Sequence, residues 1–440
     1  MKNLTLATPL EWRIRSRTAR VAVIGLGYVG LPLAVEVASA GFPVTGIDVD
    51  AHKVASLLSG RSYVAEVSDD RVAPLVRDLR LCPTTDYSRL HDAEVSLICV
   101  PTPLTRSKEP DLSYVRAAAE GIAPTLRPGV LVVLESTTYP GTTEEILRPI
   151  LESSGLRAGR DFALAFSPER IDPGSRKFTM REVPKVVGGL TPRCTELAQL
   201  FYQQFIDRVV PVSSPTVAEM VKVYENVFRN VNIALVNELA LLCDRMGLDV
   251  WEVIEAASTK PYGFMPFYPG PGVGGHCIPI DPYYLAAKAR EYDFHLRFIE
   301  LAAAVNENMP YHVVSKVTAA LNGQGRSLRG ARTLVLGVSY KRDVADVRES
   351  PALKLMELLE RRGAVVRYHD PYVPEVVLPN PGGRLASVPL TDEELEQADC
   401  VIVATDHSCV DYPRVARRAK LVVDTRNALR EVRAPHVVRL

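Results

Sequence analysis

Between residues 19 and 190 the chain alternates short apolar runs with stretches of helical character. The runs are Arg20–Gly25, Pro43–Asp48, Val95–Val100, Val130–Glu135, Phe162–Phe166 and Lys185–Gly188. They are apolar throughout rather than alternating, which is the pattern of strands buried on both faces of a parallel sheet. Strands that alternate with helices predict a doubly wound α/β layer.

The texture changes at residue 213. Thr216 and Glu219 have the T-x-x-E spacing of a capping box, and Pro215 precedes them. Apolar residues then recur at Met220, Val223, Val227, Ala234, Leu235, Leu239 and Leu242, which predicts one long helix stopped by Gly247. A second helical block covers 284–322, with Arg297–Leu321 read as one helix that Pro310 kinks or breaks. From residue 332 the strand texture returns at 333–337, 365–370, 400–404 and 421–424, and 379–383 reads as an exposed loop. The expected fold is α/β: two Rossmann-like, doubly wound parallel sheets joined by an all-α central region with a long helix. The expected boundaries are 1–212, 213–325 and 326–440. The two α/β halves look alike only in texture.

Composition narrows the class. The chain has 440 residues, with 52 Lys+Arg balanced by 52 Asp+Glu, so no basic footprint argues for nucleic acid. The apolar fraction of 47% and charged fraction of 24% are those of a globular protein. No apolar run is long enough to span a membrane, and residues 1–20 lack the apolar core of an export signal. The seven cysteines include no CxxC pair, so neither a disulfide framework nor a metal site is expected, and a reducing cytoplasm fits.

The chemistry begins at Gly25-Leu-Gly27-Tyr28-Val29-Gly30. This G-x-G-x-x-G follows the first strand and opens a helix, and Asp48 ends the second strand 18 residues beyond Gly30. That context marks a dinucleotide fingerprint. Gly25 allows the tight turn, Gly27 lets backbone approach a pyrophosphate, and Gly30 lets helix and strand pack closely. Asp48 can accept from a ribose hydroxyl and repels a 2′-phosphate, which favours NAD over NADP. The second sheet lacks the fingerprint, because Gly337 is followed by a bulky Tyr340. It fits a different nucleotide, with Lys341 and Arg426 as phosphate partners, or equally two surface cations.

Gly270-Pro-Gly272-Val-Gly274-Gly275-His276-Cys277 delivers one cysteine from a glycine-rich loop, with Asp281 four residues on. Such a loop can wrap a ligand and face it with a thiol, so Cys277 is the candidate nucleophile. Cys99 and Cys400 lie inside strand runs and read as small buried apolar residues. Lys222, Asn226 and Asn230 share one face of the long helix. They read either as stabilisers of an oxyanion or as a solvated face or interhelix seam. The loops with Thr102, Thr137 and Glu169 fall at the carboxyl edge of the first sheet, where such sheets bind ligands.

Five motifs occur in order: GlyLeuGlyTyrValGlyLeuProLeuAla (25–34), SerProGluArg (167–170), the Lys222–Asn226 helix, GlyProGlyValGlyGlyHisCys (270–277) and TyrLysArgAspValAlaAspValArgGluSerPro (340–351). Together they resemble the UDP-glucose/GDP-mannose dehydrogenase family of NAD-dependent, four-electron nucleotide-sugar dehydrogenases. The stretch Thr259–Gly272 looks most like the branch that oxidises UDP-N-acetylglucosamine at C6. His276 also argues against plain UDP-glucose.

The resemblance implies roles. Cys277 matches the nucleophile, Lys222, Asn226 and Asp281 the groups around the reacting carbon, and Thr137 and Glu169 those that position water and sugar. Gly25, Gly27, Tyr28, Val29, Gly30, Asp48, Lys53, Thr102, Thr137 and Arg348 fall on the NAD side. Glu169, Lys222, Asn226, Tyr268, Gly274, Lys341 and Arg426 fall on the substrate side. Many relatives borrow an arginine from a neighbouring subunit upstream of the glycine loop; this chain departs from that pattern, and its nearest cation there is Lys260. The implied reaction passes through an aldehyde, a Cys277 thiohemiacetal and a thioester to the uronic acid. It implies a cytoplasmic homodimer, or a multiple of dimers, that serves surface polysaccharide synthesis.

Overall fold

The computed structural model describes residues 9–64, 66–105, 109–170, 178–378 and 383–440. Of the loop read at 379–383, only Gly383 lies within the described residues. The chain forms two compact units, Met1–Glu225 with Tyr283–Asp293, and Asn226–Pro282 with Phe294–Leu440.

The first unit holds an eight-stranded sheet. Its strands are β1 (Val21–Ile24), β2 (Val44–Ile47), β3 (Leu81–Thr84), β4 (Val95–Ile98), β5 (Leu131–Leu134), β6 (Ala163–Phe166), β7 (Lys185–Gly189) and β8 (Val209–Val212), in the order β3-β2-β1-β4-β5-β6-β7-β8. The run from β3 to β6 is parallel and follows the dinucleotide-binding order. The β6–β7 pair is antiparallel, so the expectation of a wholly parallel sheet fails at this edge. The sequence pattern also missed β3 and β8. Both are four-residue edge strands that carry a proline, Pro83 and Pro211, which only an edge tolerates. All four residues of β1, β4 and β5 are buried, as non-alternating runs require.

The second unit holds a parallel five-stranded sheet. Its order is β10 (Val365–His369), β9 (Arg332–Leu336), β13 (Cys400–Val403), β14 (Val422–Asp424), β15 (Val437–Arg439). A hairpin pairs β11 (Glu375–Leu378) with β12 (Gly383–Ala386). The two sheets share more than texture. Gly25 N donates to the Ile47 carbonyl at 2.7 Å, and Gly337 N to the His369 carbonyl at 2.9 Å. Leu26 N donates to Asp48 Oδ2 at 2.8 Å, and Val338 N to Asp370 Oδ2 at 2.7 Å. Both glycines have positive φ, 89° and 79°, and a Cβ on either would strike a carbonyl of the neighbouring strand's exit, that of Cys99 or of Thr405. The same first turn and acid therefore open both sheets.

The long helix spans Pro215–Met246. Its predicted capping box does not form. Ser214 Oγ accepts from Val217 N at 3.2 Å, while Thr216 Oγ1 bonds Glu144 and the Glu219 carboxyl is engaged by Gly141 and Thr143. The helix Arg297–Gly323 runs without a break through Pro310. The ring removes the hydrogen bond to the Asn306 carbonyl, and Gly272 packs against that carbonyl and the ring, its Cβ position 3.2 Å from the oxygen.

Candidate active site

In the first unit the glycine turn leaves room where a ligand needs it. A Cβ on Gly30 would lie 1.7 Å from the Gly25 carbonyl, so that position holds helix to strand. A Cβ on Gly27 meets no atom within 4 Å, which leaves the face of the turn open. Asp48 accepts from Leu26 N at 2.8 Å and Asp50 N at 2.9 Å, and Lys53 Nζ lies 3.3 Å away. Tyr28 is exposed and Val29 half-buried at the start of the helix Gly30–Ser39. An open turn above an acid held at the end of β2 fits NAD.

The other edge loops are fixed by polar bonds. Ser136 Oγ donates to the Val100 carbonyl at 2.7 Å, which ties the loop carrying Thr102 to the one carrying Thr137. Thr102 is buried and Thr137 half-buried. Glu169 follows β6, with its Oε1 accepting from Arg170 N at 2.7 Å and its Oε2 3.7 Å from Lys185 Nζ. Lys185 is buried and donates to Glu135 Oε2 at 2.6 Å and to the Pro168 carbonyl at 3.3 Å. Burial works against its charge, but Glu135 and Glu169 outweigh that and hold its pKa above the usual lysine value. The Tyr202 hydroxyl closes the network on Glu135. Sequence reading missed it, and a lysine opening an otherwise apolar strand run was its one signal.

Lys222 also belongs to this unit and is buried. Three residues earlier on the same helix, Glu219 accepts from Gly141 N at 2.5 Å, Thr143 N at 2.8 Å and Thr143 Oγ1 at 2.6 Å. Burial pushes its carboxyl up to about 7. Glu219 thus fastens the segment after Thr137 to the helix that carries Lys222.

In the second unit the structure brings Asn226 and Asp281 together as a hydrogen-bonded pair. Asp281 N donates to the Cys277 carbonyl at 2.8 Å, so the thiol-bearing residue lies at the entry to the next helix. Cys277 is half-buried, with its Sγ 4.0 Å from His276 Nδ1. Cys99 and Cys400 are buried, as read. Asn230 is 4% exposed, which excludes a solvated face, and it donates to the Ile278 carbonyl at 3.0 Å.

The loop glycines answer to neighbours. A Cβ on Gly274 would sit 2.8 Å from Tyr340 Cβ, and one on Gly275 would sit 2.9 Å from Tyr340 Cε2. Gly275 N donates to the Arg348 carbonyl at 3.0 Å, while the Arg348 guanidinium pairs with Asp346 at 2.6 Å. Tyr340, read only as an obstacle to a phosphate turn, is what the cysteine loop packs on. Gly270 faces Arg426, whose Nη1 lies 2.6 Å from its Cβ position, and Arg426 Nε donates to the Ala404 carbonyl at 2.8 Å. Desolvation lowers the Arg426 pKa to about 10, so it stays cationic at neutral pH. Lys341 is half-buried beside Ser339, whose Oγ donates to its carbonyl. Tyr268 is exposed and stacks on Trp251 with ring centroids 6.0 Å apart. Lys260 lies over the Tyr262 ring at 5.0 Å. Among the described residues no cluster of three His, Cys, Asp or Glu side chains could hold a metal, and no helix is long and apolar enough to cross a membrane.

Comparison with known proteins gives the family. The models of the UDP-glucose/GDP-mannose dehydrogenase family match in order: the NAD binding domain at 19–206, the central domain at 216–308 and the UDP binding domain at 334–431. UDP-N-acetyl-D-mannosamine dehydrogenase of Pyrococcus horikoshii is 38% identical over 418 residues, which cover 94% of this chain and 96% of the relative. UDP-N-acetyl-D-glucosamine 6-dehydrogenase of Pseudomonas aeruginosa is 40% identical over 356 residues, covering 80% and 83%. The solved structure of the Pyrococcus horikoshii UDP-D-ManNAc dehydrogenase superposes with a TM-score of 0.87 at 36% identity, covering 96% of this chain and 98% of that one. The chain therefore belongs to the UDP-glucose/GDP-mannose dehydrogenase family and is an NAD-dependent nucleotide-sugar dehydrogenase.

Proposed function

We propose that this enzyme oxidises the C6 hydroxyl of UDP-N-acetylglucosamine to the uronic acid, in two steps at one site. The observation that carries this reading is a half-buried thiol on a tightly packed glycine loop, four residues from an Asp281 paired with Asn226. NAD, when bound at the first glycine turn, supplies the hydride acceptor, one NAD for each of the two oxidations. Cys277 adds through its thiolate to the C6 aldehyde, forming a C–S bond and a tetrahedral alkoxide. Asn226, held by Asp281, and Lys222, one turn earlier on the same helix, stabilise that alkoxide. After the second oxidation the C–S bond of the thioester is cleaved by water, which Thr137 and Glu169 position. Lys341 and Arg426 hold the UDP phosphates as fixed cations. A uronic acid of this class serves surface polysaccharide assembly.

A second sugar reading, UDP-N-acetylmannosamine, is supported by the Pyrococcus horikoshii relative, which is similar over 94% of this chain. We also read the long helix as the face that pairs two copies in the cytoplasm. Met220, Tyr224, Leu235, Leu242 and Met246 are 42%, 64%, 63%, 52% and 61% exposed and recur at helical spacing along one stripe.

The test is NADH yield and kcat/KM on UDP-N-acetylglucosamine, UDP-N-acetylmannosamine, UDP-N-acetylgalactosamine, UDP-glucose and GDP-mannose. Two NADH per sugar and the highest kcat/KM on UDP-N-acetylglucosamine are expected. A preference for another sugar overturns the sugar assignment. One NADH per sugar, with aldehyde as the final product, overturns the four-electron reaction.

A further inference from the structure

The loop that carries Cys277 contains four glycines between residues 270 and 275. Glycine loses more conformational freedom on ordering than any other residue. A nucleophile on such a loop needs external anchors, because a displacement of about 1 Å costs on the order of 100-fold in rate. The anchors come from asparagines placed where helices disfavour them. Asn237 Oδ1 accepts from Gly270 N at 3.0 Å, at the start of the loop. Asn230 Nδ2 donates to the carbonyl of Ile278 at 3.0 Å, one residue past Cys277. Asn237 Nδ2 donates to Asn306 Oδ1 at 2.9 Å, and Asn306 Nδ2 donates to the Asn230 carbonyl at 3.2 Å. Asn230, Asn237 and Asn306 are 4%, 0% and 5% exposed. The seven-residue spacing of Asn230 and Asn237 keeps both on one stripe of the long helix, one turn beyond Asn226.

We propose that Asn230, Asn237 and Asn306 form a side-chain ladder that positions Cys277, clamping the glycine loop before and after the thiol. None of the three touches the reacting atoms in this scheme. They act through the loop backbone. Buried amide hydrogen bonds suit the task, because breaking one strands a desolvated donor or acceptor. The loop therefore has little freedom to leave its register. Its importance for turnover rests on the reading of Cys277 as nucleophile, but the clamp itself does not.

The experiment uses the full-length enzyme and the variants Asn230→Ala, Asn237→Asp and Cys277→Ala. Asn237→Asp keeps the acceptor for Gly270 and loses the donor to Asn306. Alkylation by iodoacetamide, without NAD or sugar, is followed at each cysteine by peptide mass spectrometry. The exposed Cys82 and Cys409 serve as internal references. Circular dichroism confirms that each variant is folded. Asn230→Ala is expected to raise the alkylation rate of Cys277 at least fivefold relative to Cys82 and Cys409. It should lower kcat by at least tenfold while KM for NAD changes less than twofold, a split that general destabilisation does not produce. Asn237→Asp should shift both in the same direction. A folded Asn230→Ala enzyme whose Cys277 alkylation stays within twofold of the parent overturns the ladder, whatever Cys277→Ala does. If Cys277→Ala still makes the acid while Asn230→Ala frees the thiol, the ladder stands and the nucleophile reading falls.

Discussion

Glu219 is a buried carboxyl whose surroundings oppose one another. Burial disfavours its charge, while Gly141 N, Thr143 N and Thr143 Oγ1 stabilise it. Burial prevails, and the pKa rises from 4.5 to about 7. The sign of the linkage follows. The folded protein binds this proton more tightly than the unfolded chain, so the contribution of Glu219 is most favourable at low pH and is lost as pH rises from about 4.5 through 7. At about 1.4 kcal/mol per pKa unit, the loss between pH 5 and pH 8 comes to about 2.5 kcal/mol. The perturbation is Glu219→Gln, which cannot ionise. Against the protonated parent at pH 5 it costs about 1–3 kcal/mol, because its amide NH₂ faces a backbone donor that the carboxyl had satisfied. Melting temperatures of parent and variant are compared from pH 5 to pH 8, where other titrations cancel to first order. The gap between them should narrow as pH rises, by about 5–8 °C if 1 kcal/mol moves a unit of this size by about 2–3 °C. A constant gap would show that Glu219 does not change protonation in this range. That is the outcome if its three hydrogen bonds prevail over burial and hold it ionised throughout, because an acid that titrates below pH 5 in both states adds almost nothing to the pH dependence above it.

Three further outcomes can be checked directly. Asp48→Ala should raise kcat/KM for NADP at least tenfold relative to NAD, since Asp48 ends β2 where a 2′-phosphate would meet its charge; an unchanged cofactor ratio would refute that placement. Gly275→Ala puts a methyl 2.9 Å from Tyr340 Cε2 at a φ of +93°. It should lower the stability by about 1–3 kcal/mol, read from denaturant unfolding, whereas Gly27→Ala, which meets no atom within 4 Å, should leave the fold intact and weaken NAD binding measured by titration. Cys277→Ala should abolish uronic acid formation and leave at most one NADH per sugar by coupled absorbance and chromatography; acid at near-parent rate would dismiss the thioester.

What could be read from the sequence was what local sterics or continuous burial dictate. Runs such as Leu131–Leu134, buried at all four positions, declare a central strand. The edge strands Leu81–Thr84 and Val209–Val212 were missed, because at four residues with a proline their pairing is decided by the neighbouring strand. The glycine turns were legible for a different reason. Gly25, Gly30, Gly274 and Gly275 each exclude a side chain, and a forced residue leaves a mark. The partners of buried polar groups left none. Lys185 finds Glu135 across 50 positions, and Glu219 finds Gly141 across 78. The T-x-x-E spacing at Thr216 mimicked a local cap, but a carboxyl so deeply buried is drawn to unsatisfied backbone donors elsewhere. Asn230 could be read as a polar seam or a solvated face, and only the position of the Ile278 carbonyl decides between them.

The two sheets show how one local device can serve two ends. Each opens with a positive-φ glycine and an acid that accepts the next backbone N–H. In the second sheet that acid is consumed internally. Asp370 Oδ2 takes Val338 N, Ser339 N and His407 Nε2, and its Oδ1 takes Tyr372 N and Val373 N. His407 Nδ1 accepts from Asp343 N, so the Nε2 proton points at Asp370. Burial would raise the Asp370 carboxyl, but the bonds from His407, Val338 and Tyr372 hold it below the usual range. Asp48 keeps capacity, with one backbone donor on each oxygen and a partly exposed Lys53 at 3.3 Å. A ribose hydroxyl can replace a partly exposed ammonium, but it cannot displace five donors, four of them buried. The difference between the sheet of the NAD binding domain and that of the UDP binding domain thus lies less in the count of glycines than in whether the acid at the end of the second strand is already spent.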